Sequence, residues 1–276
     1  MKILKLGQML GGSNAPSDTG LENLYSLDFD GVDDVLITTN DSSIMPTDNI
    51  TVGCWVKPTT WAFPDNNTEY YAFGCIRSGG WGVKFQNNYN ATVTTFSATI
   101  RVSDAGSESY LTISAGTAFS STLRALTGWH YVAMTYDKAT GKGSLSLDGV
   151  ERATANAAAG ADIDYHSSDT RPLMFGADAA SNTTGEDFFG GNIDEGSVWN
   201  KALTSAELVA VYNSGVPIDL TQNSGAYVSR SNLQGWWRMG DPNGTASYPT
   251  IADQSLNSND GTMTNMASGD IVTVVP

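Results

Sequence analysis

Basic residues, cysteine, histidine and long apolar runs are all scarce in this chain, and each shortage excludes something. Lysine and arginine total 14 against 29 aspartates and glutamates, a formal charge of -15. A surface of that sign repels phosphate backbones, so nucleic acid is not an expected partner. Two histidines, His130 and His166, offer no metalloprotease helix, and no G-x-S-x-G elbow occurs. Two cysteines in 276 residues do not make a disulfide scaffold. Cys54 lies in an apolar strand-like run and Cys75 follows Tyr71-Ala72-Phe73-Gly74, so two buried free thiols are expected, with one disulfide as the alternative. No run approaches the ~18 apolar residues of a membrane span. The N-terminal apolar stretch is broken by Lys5, Gly7 and Gln8 with no cleavage site after it. That pattern is not a signal peptide, and predicts a protein made in a cytoplasm without the general secretion route.

What the chain does have is enough apolar material for a core. Hydrophobic residues are 40% and charged residues only 16%, which argues against disorder and for a surface of short polar side chains and turns. From Tyr25 the apolar period is two. Leu27 and Phe29 alternate with Asp28 and Asp30, Gly31 breaks the run, and Val35 and Ile37 resume it: a strand, a tight Asp-Gly turn and a returning strand. Ile50, Val52, Cys54 and Val56 alternate up to Pro58. Further strands are expected at 71–76, 81–86, 94–102, 109–114, 129–136, 143–147, 173–175 and 191–199, with Asp148-Gly149 as another turn. Many short strands punctuated by turns predict an all-β, two-sheet antiparallel jelly-roll sandwich rather than a βαβ sheet.

One short helix is expected after Thr204. Thr204-Ser205-Ala206-Glu207 is a capping box, Leu203 and Leu208 are placed as a hydrophobic staple, and Gly215 stops the run. Leu208, Val211 and Tyr212 share one face, which is expected to pack against an end of the sandwich. Residues 1–24 read as an apolar arm followed by a Gly/Ser/Asn/Pro linker, suited to docking on a neighbour. Residues 25–219 hold the sandwich. Residues 220–276 are a C-terminal extension that either completes the sandwich or forms a separate interaction piece.

Three segments together resemble the laminin-G-like, concanavalin-A-like jelly-roll family. They are Leu27–Asp34 with Ile50–Pro58, Trp129–Asp137 with Leu147-Asp148-Gly149, and Gly191–Glu195 through Trp199–Thr204. The resemblance implies two antiparallel sheets, with sugar or protein ligands near the concave face or rim. The tail stretch Trp236–Asp241 with Asp253 and Asn259–Met266 looks like a motif that usually opens such a domain. Together with the leaderless arm, this arrangement is similar to proteins of tailed marine bacteriophages.

Catalysis in related glycoside hydrolases needs two carboxylates flanking the sugar bond. Here the nearest pairs, Asp194-Glu195 and Glu186-Asp187, are adjacent and would point to opposite faces of a strand. No catalytic residue is therefore assigned. Related jelly rolls often hold a structural calcium, and Asp30, Asp33, Asp34 and Asp194 are the oxygen donors the resemblance suggests. Hydrogen bonding to backbone within tight turns is the favoured reading, so no metal ligand is assigned and calcium is the alternative. Sugars stack on exposed aromatics, and Trp61, Tyr70, Tyr71 and Trp81 gather around the polar loop Asp65-Asn66-Asn67 as ligand-binding candidates, core packing being the other reading. Trp55, Trp129 and Trp199 are expected in the core.

The first functional expectation is a non-catalytic phage virion structural protein: a capsid decoration, neck or tail-appendage subunit. It would dock on other virion proteins, as a homo-oligomer in one version. The second is a carbohydrate-binding lectin or adhesin for host-surface glycans, and the third a glycoside hydrolase.

Overall fold

Alternation along a strand sends successive side chains to opposite faces, and in this protein three layers make use of both. The computed structural model describes residues 21–63, 68–76, 79–88, 93–165 and 171–276. The expected docking arm therefore lies outside the described residues up to residue 20, as does His166.

The chain begins with β1 (Ser26–Asp30), β2 (Val35–Thr38), β3 (Asn49–Pro58), β4 (Glu69–Gly74), β5 (Trp81–Asn88), β6 (Val93–Asp104) and β7 (Ser107–Ser114). After helix α1 (Ser120–Arg124) come β8 (His130–Asp137), β9 (Lys142–Leu147), β10 (Val150–Asn156), β11 (Asp162–Ile163) and β12 (Met174–Phe175). A small hairpin, β13 (Asp178–Ala179) and β14 (Gly185–Glu186), leads to β15 (Gly190–Trp199) and helix α2 (Ser205–Tyr212). The extension supplies β16 (Leu233–Trp237), β17 (Thr250–Ile251), β18 (Gly261–Thr264) and β19 (Ile271–Val272).

The first sheet runs β10-β9-β8-β3-β15-β1-β19, with β16 also paired to β15; the second runs β11-β6-β5-β4-β12-β2-β18-β17, with β7 paired to β6. Between them lies the main core, to which Val52, Cys54 and Val56 of β3 contribute from one side and Val83, Phe85, Phe96 and Ile100 from the other. Strands of the extension stand in both sheets. Residues 220–276 are thus part of the sandwich and not an appendage to it.

Three expectations need correction. The Asp-Gly turn after β1 does not close a hairpin: β1 pairs with β15 and β19, and β2 with β12 and β18. Gly31, with φ of 76°, lies against Gly190, so the turn carries the chain from one sheet to the other across a crowded edge. The helix after Thr204 packs on the outer face of the first sheet, not on its end. There Leu203, Leu208 and Val211 join Trp55, Tyr131, Ala133 and Trp199 in a second apolar layer closed by Leu220, Tyr227, Leu233 and Trp236. A second helix, α1, is also present. It lacks the capping signal that marks α2, and is held by Leu123 in the core and by the Ser120 hydroxyl accepting from Thr94 N.

Helix α2 starts as its sequence dictates. Thr204 Oγ1 accepts from Glu207 N, and Glu207 Oε2 accepts from Thr204 N at 3.0 Å. Burial raises the Glu207 pKa, but hydrogen bonds from Ser229, Thr204 and Lys201 outweigh it and bring the value down to about 2. The helix ends at Asn213, in the left-handed region at φ of 42°, ahead of Gly215. Gly149 lies under it: a Cβ there would sit 2.8 Å from the Val209 Cα. Cys54 and Cys75 are free and buried, as expected, and burial raises both thiols, Cys75 to about 12. Among the described residues no helix is long and apolar enough to cross a membrane.

Candidate functional site

The four aromatics singled out above do not form one exposed platform. Trp81 is 0% exposed, on the core side of β5 with Val83 and Phe85, and its indole donates to Tyr165 at 2.7 Å. Trp61 is buried edge-on against Phe85 and His130. Tyr70 is half-buried against Phe63. Tyr71 alone points out of the second sheet, its hydroxyl donating to Glu69 Oε2 and the Lys84 ammonium 5.5 Å above its ring, but little of it is exposed. Burial leaves no open ring face for stacking at Trp61, Tyr71 or Trp81. The first core residues in β4 and β5 fix this placement, because a one-residue slip would turn every side chain over.

The outward face of the second sheet is instead a set of polar cross-strand rows. Tyr71, Lys84, Ser97 and Ser114 stand in register across β4, β5, β6 and β7. The next rows are Gly82, Thr99 and Thr112, then Arg101 beside Tyr110. Leu111 and Ile113 turn inward, so Tyr110 and Thr112 must turn outward, and Tyr110 is 58% exposed. Three carboxylates of this face meet cations, whereas Asp178, beside Gly74, is held by a backbone N–H. Glu69 Oε1 bonds Lys84 Nζ, while Arg101 holds Glu108 and, at 3.0 Å, Asp164. Sequence reasoning missed Tyr110, although the phase of Leu111 and Ile113 signals that its ring lies on the wrong side for the core.

Two acidic groups complete the inventory. Asp30, Asp33 and Asp34 each offer an oxygen within 4.8 Å of the others, a spacing a hard cation could use. Asp194 is not in that group. The turn also satisfies itself: Asp30 Oδ1 accepts from Val32 N at 2.7 Å, and Asp34 Oδ2 from Asp30 N at 2.9 Å. Burial, with repulsion from Asp30, Asp270 and Asp33, raises Asp34 to about 6.

The pair Asp194-Glu195 is not split between two faces. A bulge in β15, with Glu195 at φ of 51°, brings both into one buried polar network. Asp194 Oδ2 accepts from Asn23 Nδ2 at 2.9 Å, and Glu195 accepts from the Trp236 indole and from Arg238 Nε at 3.1 Å. Asp241 accepts from Leu24 N and from Arg238. Burial raises Asp194 far above the carboxylate range and Glu195 to about 7. This network joins the extension to the sandwich and to residues 22–24. It is inaccessible to a substrate.

His130 is structural as well, its Nδ1 paired with Asp148 Oδ2 at 2.7 Å. Asp178 is the first residue of β13 and accepts from Ile76 N at 2.8 Å; burial raises it to about 6. A carboxyl whose pKa is raised on folding stabilises the native state when protonated, and that contribution is lost as pH rises through the folded value. For Asp178 and Glu195 the loss spans about pH 4 to 7. The melting temperature is therefore expected to be higher at pH 5 than at pH 8. Asp178→Asn, which keeps an acceptor for Ile76 N, should narrow that gap. Thermal melts that rise from pH 5 to 8, or a gap untouched by the substitution, would contradict this account.

A cleft of about 430 Å³ also opens on the extension, lined by residues including Gln222, Arg230, Leu233, Gln254 and Leu256.

Comparison with known proteins gives the family context. A laminin G family model described as the concanavalin A-like lectin/glucanases superfamily matches residues 30–209. A comparison with curated proteins returns no match. Among solved structures, the chain is similar to a candidate carbohydrate-binding protein from Bacteroides ovatus ATCC 8483, with 15% identity and a TM-score of 0.57. That match covers 92% of this chain and spans 62% of the Bacteroides protein. It is also similar to a heptameric pentraxin from Limulus polyphemus, at 15% identity and a TM-score of 0.46, covering 69% of this chain and 82% of that one. A third is the carbohydrate-binding module CBM40 of a Ruminococcus gnavus sialidase bound to sialyllactose, at 17% identity and a TM-score of 0.44, covering 68% and 97%.

Proposed function

The chain belongs to the concanavalin A-like lectin/glucanases superfamily, and from that premise we propose that it is a non-catalytic carbohydrate-binding module. One observation carries the reading: the outward face of the second sheet presents the exposed Tyr110 ring beside Arg101 and in line with the hydroxyls of Thr99 and Thr112. A pyranose ring offers C–H groups to an aromatic face and hydroxyls to polar neighbours, and this combination meets both needs. Glu69 is held by Lys84, Glu108 and Asp164 by Arg101, and Asp178 is buried against Ile76 N, which speaks for recognition over the acid and base work of a glycosidase. The Bacteroides protein, similar over 92% of this chain and matched over 62% of its own length, is a candidate carbohydrate-binding protein. Glycan binding thus moves ahead of the virion structural role that the sequence put first.

Affinity electrophoresis through gels containing a panel of polysaccharides tests the proposal. At least one should retard the protein, and Tyr110→Ala should weaken retention about tenfold, the equivalent of roughly 1.4 kcal/mol of lost stacking. Because Tyr110 is exposed, its removal should leave the melting temperature within a few degrees. No retardation by any polysaccharide, or full retention by the variant, would sink the assignment of this face.

A further inference from the structure

The cleft on the extension lies outside residues 30–209 and on different elements from the Tyr110 face. Its volume, about 430 Å³, falls in the range of sites for small ligands. Two loops form its walls, and each is stiffened by an aspartate of its own. Asp219 Oδ1 accepts from Thr221 N at 2.9 Å and from Thr221 Oγ1 at 2.6 Å. Asp253 accepts from Trp236 N, Ser255 N and Asn259 N, all within 2.9 Å, and from the Ser255 hydroxyl at 2.8 Å. These carboxylates are turned to holding the walls, so among the described residues the charged side chain lining the cleft is Arg230.

Arg230 is positioned rather than neutralised. Its backbone N–H donates to Asn223 Oδ1, its guanidinium lies 3.5 Å from the Thr221 carbonyl, and it makes no ion pair among the described residues. Around it stand the amides of Gln222 and Gln254, with the buried Leu233 and the fully exposed Leu256 as apolar surface. An exposed leucine at the rim of a preformed cleft is a ready contact for a ligand's apolar face.

We propose that this cleft binds a sugar unit bearing a carboxylate, as a second site separate from the Tyr110 face. The Arg230 guanidinium takes the carboxylate through two parallel N–H donors. Leu233 and Leu256 receive the apolar side of the sugar, and the two glutamine amides bond its hydroxyls. This rests on the glycan-binding reading and adds to it a preference for acidic sugars that the acidic remainder of the protein would not otherwise have.

Calorimetric titration with matched probes tests it: oligogalacturonate against neutral galacto-oligosaccharide, and sialyllactose against lactose. At least one carboxylated probe should bind at least tenfold more tightly than its neutral partner. Arg230→Gln should abolish that preference, and Leu256→Ser should weaken the carboxylated probe several-fold. Tyr110→Ala should leave the preference in place. Unchanged binding by Arg230→Gln, or equal binding of both probes in each pair, overturns the site. If neutral polysaccharides still bind through Tyr110, this second site alone has failed. If no glycan of either kind binds, the carbohydrate reading falls with it.

Discussion

A chain ending at residue 219 is expected not to fold, although the family match ends at residue 209. The extension supplies Trp237, Met239, Ile251, Met263, Met266 and Ile271 to the main core, and Tyr227, Leu233 and Trp236 to the layer under α2. Burying a large apolar side chain is worth about 1.5–3 kcal/mol, so losing even five of these matches the ~5–15 kcal/mol by which domains are stable. The loss of strand pairing acts in the same direction. Without β18 and β19 the edges of β2 and β1 are left bare, and without β16 half of β15 has a partner on one side only. Unpaired edges of this kind also template aggregation. Near-ultraviolet circular dichroism and a thermal melt of the 1–219 chain provide the check. A cooperative transition with native-like tryptophan signal would show the sandwich to be self-sufficient and the extension an addition.

That dependence was only half legible beforehand. The strands of the main sandwich could be read from their period of two: β3 shows it in Ile50, Val52, Cys54 and Val56, all buried. The capping box of α2 could be read atom by atom, because its bonds link residues three apart and need no tertiary context. What the extension would join could not be read. Strands of two or four residues, such as β19 and β18, are too short to show a period, and their partners lie more than two hundred positions away in β1 and β2. The same limit explains the Asp-Gly turn after β1. A turn fixes the local reversal, but which sheet receives the returning strand depends on β15 and β18.

The candidate site shows a different failure, since its signal was present and was read for clustering instead of phase. Trp81 alternates with Val83 and Phe85, which commits its indole to the core along with them. Tyr110 falls between Ser109 and Leu111, out of phase with Leu111 and Ile113, and is exposed for that reason. Aromatics near a polar loop drew attention to Trp61 and Tyr71, yet proximity in sequence says nothing about which way a ring faces. The cleft at Arg230 had no sequence signal, because its walls come from two loops more than twenty residues apart.

Arg238→Met is expected to destabilise the protein by about 3–5 kcal/mol, the cost of leaving buried charge without its partner. Arg238 is the only cation of the described network: Nε bonds Glu195 Oε1, and Nη2 reaches Asp241 Oδ2 at 3.2 Å and the Glu22 carbonyl at 2.6 Å. Methionine preserves much of the stem's packing against Trp236, whose ring the guanidinium covers at 5.4 Å, so the loss isolates charge from volume. Asp194, Glu195 and Asp241 are all buried and already raised in pKa by that burial. Deprived of Arg238 they escape the penalty by taking up protons, which is easier in acid. The destabilisation should therefore be smaller at pH 5 than at pH 8. Adding Glu195→Gln to Arg238→Met should recover part of the loss at pH 8, where the glutamate would otherwise be ionised, while retaining an acceptor for the Trp236 indole. Chemical denaturation of the four members of this double-mutant cycle at both pH values measures the coupling directly. A cost below about 1 kcal/mol for Arg238→Met, the level of an exposed pair, would mean that solvent reaches these carboxylates and that the extension is held by its apolar residues alone.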